Sequence, residues 1–136
     1  MAVESTIIKH SLCTAAANYS STASLAGPNG SGQFLLVKYT GTGTSPTATV
    51  CSANSDSAVG VLQNDPVSGA VADVAIGGVT KVVAGAAVAI GAALMADTSG
   101  RAITQTSTNP VIGYALGQAT AANQIIPMQI APQLAG

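Results

Sequence analysis

Charge is what this chain has least of. Only nine of its 136 residues are ionised, 7% of the total: Glu4, Lys9, Lys38, Asp56, Asp65, Asp73, Lys81, Asp97 and Arg101. Ordinary soluble domains carry about 25%. The four cations are scattered, with no basic patch to hold a phosphate backbone, so nucleic-acid binding is not expected. The five acids do not cluster, which removes paired-carboxylate chemistry. Asp56 and Asp65 sit in turn sequences, where Asp commonly bonds nearby backbone.

Histidine is nearly absent too. His10 is the single one, in a segment with no evident rigid support, and a Ser–His–Asp arrangement would have to be built on it. Two cysteines and one histidine are too few to hold a structural metal. Cys13 and Cys51 read as reduced, buried thiols; a bridge between them or between subunits stays open. No glycine-rich phosphate loop is present: Gly41-Thr42-Gly43 lacks a third glycine, and Gly85–Gly91 lacks a following Lys-Ser/Thr. No catalytic residue and no cofactor is expected.

Long hydrophobic runs are also missing. Apolar residues make up 48% of the chain, yet the longest uncharged apolar run is Val82–Ala96. A membrane-crossing helix needs about 20 residues. This run is shorter and is interrupted by Gly85 and Gly91, so no membrane partner is expected. The first ten residues lack a basic start followed by an apolar block. The expectation is a chain made in the cytoplasm and assembled there. A free monomer this poor in charge has little to keep it apart from its neighbours, which points to a subunit packed against other subunits.

What is present is β pattern. Residues 34–40, 47–52, 58–63, 70–76, 79–84, 101–104, 111–116 and 124–130 read as short strands bounded by Gly, Pro, Asn and Asp. Gly77-Gly78 reads as a tight hairpin, which would let Asp73 and Lys81 pair across it. Val82–Ala96 is ambiguous, because Ala favours helix. Its two glycines and its valines favour short strands joined at Gly91 instead. Pro127 places the last strand at an edge or a bulge. Ala58-Val59-Gly60-Val61-Leu62 is echoed by Val111-Ile112-Gly113-Tyr114-Ala115, so a duplication is one reading and generic hairpin pattern the other. The expected fold is all-β, a small barrel or sandwich of about eight or nine short strands.

Residues 1–33 differ from the rest. They are rich in small residues and Ser/Thr, and end in Gly27-Pro28-Asn29-Gly30-Ser31-Gly32. They read as an extended N-terminal arm and linker, with 34–136 as the β domain; a first strand of the same barrel is the alternative. In the arm, Ile7, Ile8, Leu12 and Tyr19 are the candidate contacts with a partner or another subunit.

The glycine-spaced frame has a familiar form. It runs from Val59-Gly60-Val61-Leu62-Gln63-Asn64-Asp65-Pro66 through Ala84-Gly85, Val88, Gly91, Leu94, Asp97 and Gly100 to Ile112-Gly113-Tyr114-Ala115-Leu116. Over residues 34–131 this resembles the small capsid cement, or head-decoration, proteins of tailed bacteriophages. The resemblance implies a non-enzymatic virion protein on the capsid exterior. It implies two partners: the major capsid protein, whose neighbouring copies it bridges, and itself, as a homotrimer. The alternative is a cell-surface or appendage β-subunit that binds a ligand or another cell.

Overall fold

The β pattern becomes nine strands in the computed structural model, which describes residues 7–133. They are β1 (Ile7–Ala15), β2 (Leu36–Thr40), β3 (Thr47–Val50), β4 (Gly60–Leu62), β5 (Val71–Val83), β6 (Ala93–Ala96), β7 (Ala102–Thr104), β8 (Val111–Ala115) and β9 (Ile125–Gln133). A single 3-10 turn, Pro28–Gly30, is the helical content of the described residues. Val82–Ala96 resolves as strand, turn and strand: β5 ends, Gly91 takes φ +86°, and β6 follows.

The strands hydrogen-bond in the order β1-β3-β2-β4-β5-β9-β8-β6-β7, and β1 also pairs with β5. The β1–β5 pairing closes the first five strands into a ring. A second ring starts where β5 leaves the first: β5-β9-β8-β6-β7, joined back by a parallel bridge between Ala84 and Ala102. The 13-residue β5 therefore serves both rings. Its residues up to Gly78 pair with β1 and β4, and Val79–Val83 pair with β9.

Gly77-Gly78 sits at this hand-over and is not a hairpin. Gly78 takes a positive φ of +84°, but the strand changes partners there without reversing. Asp73 and Lys81 thus lie on one strand and do not pair with each other; Asp73 bonds Lys9. Gly77 also packs closely: a Cβ there would meet the end of the Ile8 side chain at 3.2 Å.

The two rings have the same register. Leu36 faces Val61 and Val37 faces Gly60, as Ala93 faces Tyr114 and Leu94 faces Gly113. Val61 faces Ala75 as Tyr114 faces Gln129. Ala15 bridges Ala48 in parallel as Ala84 bridges Ala102. The echoed segments, β4 and β8, hold matching places. The chain is a tandem pair of five-stranded units sharing one long strand.

Two expectations are corrected here. Of the arm expected over 1–33, residues 7–33 are not separate from the body, and residues 1–6 lie outside the described residues. Ile7–Ala15 is strand β1, and closing the first ring requires it. Its backbone groups are satisfied by β5, which a free arm would leave to water. Pro127 is not at an edge either, since β9 lies between β5 and β8. It is tolerated because β8 has already ended at Ala115. Leu116 N–H donates to Pro127 O at 2.9 Å, and the bond that proline cannot donate falls beyond the strand.

The core is aliphatic. Leu36, Val61, Val82, Leu94, Ile112 and Met128 lie in one buried cluster that spans both rings. Val37, Leu62, Val74 and Tyr19 lie in a second, inside the first ring. Each fully buried Val or Leu side chain contributes about 1.5–3 kcal/mol. Cys13 and Cys51 are free and buried in separate clusters.

Candidate functional site

The charged groups largely cancel one another. Three ion pairs, Lys9–Asp73 at 3.1 Å, Lys38–Asp56 at 2.8 Å and Arg101–Asp97 at 2.8 Å, take up six of the eight charged side chains among residues 7–133. Each acid also organises backbone or strand. Asp97 accepts the N–H groups of Ser99 and Arg101 and fixes the β6–β7 turn. Asp56 accepts those of Ser52 and Ala53. Burial pushes the Asp56 carboxyl up, but Lys38 and the two N–H donors outweigh it and hold it below the ordinary value. Asp73 is held low by the Ser11 hydroxyl first, against burial, and by Lys9. These groups are spent on structure, and the outside is left close to neutral.

The nucleophile types are withdrawn. Burial pushes the Cys51 thiol up to about 12, with the nearby Asp56 adding to it. Burial also raises Cys13. Tyr39 is pushed up to about 12 by burial and by Cys13 beside it. Its hydroxyl bonds His10 Nδ1 at 2.5 Å, which ties β2 to β1. A cleft of about 800 Å³ opens between the two halves, lined by Tyr19, Leu25, Cys51, Thr98, Arg101 and Ile125 among others. Its one cation is engaged: Arg101 Nε donates to Asp97 and Nη1 donates to Asn123. The described residues hold no group of three or more His, Cys, Asp or Glu side chains placed to share a metal ion.

What the surface does offer is apolar. Ile8 is 58% exposed and Leu12 78%, both on β1, with Ile7 beside them at the strand's start. All three lie on one strand and are exposed. Tyr19 does not join them. It is buried in the first ring, its hydroxyl accepts Val50 N–H at 3.1 Å, and Gly32 packs so close that a Cβ there would lie 2.8 Å from Tyr19 Cβ. It is a core residue, because the segment after β1 turns back over the ring.

Sequence reasoning missed the other outward apolar residues. Ile90 is 69% exposed, and Val67, Val71, Leu116 and Ile125 are also exposed. Ile90 carried a usable signal, since it stands directly before the turn glycine Gly91 and not inside a strand.

The body is closed, all-β, close to neutral outside, and carries exposed aliphatic side chains. The family described as phage cement protein matches residues 30–130. The chain belongs to that family. It is a structural protein of the phage virion. A search of curated proteins gives no match. Among solved structures, it is similar to the N base of the head fiber gp8.5 of bacteriophage phi29, with a TM-score of 0.64 at 18% identity. That match covers 93% of this chain and 95% of the other, so this cement protein shares its whole fold with the fiber base.

Proposed function

We propose that this cement protein binds the outer surface of the phage head and stabilises it by bridging neighbouring major capsid proteins. It acts as a homotrimer and carries out no catalysis. The observation that carries the reading is the pairing of a charge-compensated surface with exposed aliphatic side chains on β1. Few charges must be desolvated when such a face is covered, so burial is cheap. Three copies in one body would bind with avidity, which lets each contact be modest. An interface of about 1,600 Å² suffices for specific binding.

The test is direct. Purified protein is mixed with expanded empty capsids and imaged. Regular density on the capsid exterior between major capsid subunits is expected. Ile8→Glu should reduce occupancy while leaving the fold intact. Absence of any capsid density, with binding to cells or to a surface ligand, would replace this reading with that of a surface or appendage subunit.

A further inference from the structure

We infer that the cleft between the two halves is a binding site for a short, uncharged saccharide. This goes beyond capsid binding, since nothing in the proposed function uses the cleft.

Both walls are fixed before any ligand arrives. The first half supplies Ser52, just after β3, and residues 24–28. That segment is folded back on itself by Leu25 N–H, which donates to Gly30 O at 2.6 Å, and by Gly27 N–H, which donates to Ser31 O at 2.9 Å. The second half supplies Thr98 and Ser99, on the turn that Asp97 fixes, and Asn123, whose N–H donates to Ala84 O at 2.7 Å. Beside the cleft, Leu36 N–H donates to Gly100 O at 2.7 Å and ties the halves together. A preformed site loses little ordering entropy when it binds. Its volume of about 800 Å³ is ordinary for a small-molecule site. Ser24 and Asn123, from opposite halves, both hold a positive φ, +57° and +70°. Asn adopts this readily and Ser seldom, and such local strain gathers at ligand sites.

The main chain around the cleft is already spent. Val50 N–H donates to the Tyr19 hydroxyl, Cys51 N–H to Leu36 O, Ser52 N–H to Asp56 and Val83 N–H to Phe34 O. These residues leave no row of open donors for a peptide strand to extend. What remains uncommitted is on side chains. The hydroxyls of Ser24, Ser52, Thr98 and Ser99 belong to exposed residues and have no protein partner among the described residues. Arg101 has Nε and Nη1 engaged but not Nη2, and Asn123 uses its Oδ1 but not its Nδ2. Polar groups from both halves thus converge on one space.

Their chemistry selects the ligand. Hydroxyls donate and accept, while Nη2 and Nδ2 only donate. Their complement is a molecule dense in oxygens that do both, which is what a saccharide is. The cleft offers no uncompensated charge, because Asp97 balances Arg101 at 2.8 Å. An anion therefore gains little there. Leu25, Pro28 and Ile125 line the same space and give the C–H face of a sugar ring an apolar surface.

A glycan array carrying neutral and acidic oligosaccharides tests the site with the full chain. Retention on neutral glycans is expected, and calorimetry with a retained glycan then measures the affinity. Ser52→Ala and Thr98→Val each remove one hydroxyl and should weaken binding about three- to tenfold. Ser99→Trp fills the cleft and should abolish binding. Ser45→Trp, on the loop between β2 and β3, should bind as the wild type does. Thermal unfolding confirms that each variant is folded. A wild-type chain that retains no neutral glycan overturns the site. So does retention on acidic glycans alone, or binding that Ser99→Trp and both hydroxyl variants leave unchanged. Extended peptides retained on the same array, with no neutral glycan bound, would give the cleft to a protein segment instead.

Discussion

Gly60 and Gly113 hold the same position in the two units of the chain. A Cβ on Gly60 would lie 2.1 Å from Ala75 O, and one on Gly113 would lie 2.0 Å from Gln129 O. Ala75 and Gln129 are themselves register counterparts, on β5 and β9. Each unit thus closes by pressing a bare backbone against the carbonyl of the strand that follows.

Alanine at either position should therefore be severely destabilising. The obstructing atom is backbone and cannot swing aside. A loss of about 3 kcal/mol is expected for Gly60→Ala and for Gly113→Ala. In a chain of this size that lowers Tm by ~10 °C. Thermal unfolding followed by circular dichroism measures it. Wild-type stability in either variant would mean that the strands do not pack this closely.

The same glycines explain why the echo between β4 and β8 was legible in the sequence, because a steric need met within one short strand leaves a local mark. The short alternating strands were legible for a similar reason: apolar side chains at every second position declare a buried face. β1 was not. Of its nine residues only Cys13 and Ala15 are buried, both small, so no apolar alternation announces it. Its place comes from pairing with β5, some sixty residues away. Gly77-Gly78 misled because a hairpin and a kink call for the same residues, and only the partners of β5 distinguish them. Of the four candidate contacts, Ile7, Ile8 and Leu12 lie on one strand. Tyr19 left them because its hydroxyl and Gly32 draw it inward, and neither relation is local to Tyr19.

Shortening the N-terminus tests the place of β1. Deleting residues 2–20 removes all of β1 and Tyr19, and with them the closure of the first ring. The truncated chain should lose cooperative unfolding and expose the Val37, Leu62 and Val74 cluster to a hydrophobic dye. A truncated chain that folds and melts like the full one would return these residues to the role of a dispensable arm.

Tyr19 separates packing from contact. Tyr19→Phe keeps the ring but leaves Val50 N–H without its acceptor, a cost of about 1–3 kcal/mol. Tyr19→Ala empties the site and should cost about 3–5 kcal/mol. Denaturant titration gives both values. If either variant kept wild-type stability and lost capsid binding, Tyr19 would be a contact residue after all.

The two thiols should be inert in the folded protein. Burial raises Cys13, and Cys51 is pushed up to about 12, so at pH 8 about one Cys51 in ten thousand is the reactive thiolate. Both are free and buried. A thiol reagent at pH 8 should modify neither within an hour and both immediately after denaturation. Rapid labelling of the native chain would show that one of these clusters opens.

Acid should weaken the fold through Asp56 and Asp73. Both carboxyls sit below their ordinary value of 3.8 in the folded chain, Asp56 because its bonds to Lys38, Ser52 and Ala53 outweigh burial, Asp73 chiefly through Ser11. The unfolded chain then takes up protons more readily than the folded one, so stability rises with pH in this range. The stabilisation is complete above about pH 5 and is lost as pH falls through 3.8 toward the folded values. Lys38 works in the other direction, since the bond it donates to Asp56 leads the causes that raise it, and its share is lost only as pH climbs past 10.5. Asp56→Asn and Asp73→Asn should each lower stability at pH 7 and flatten the acid limb of a plot of unfolding midpoint against pH. An acid limb as steep in the double variant as in the wild type would assign the sensitivity to other groups.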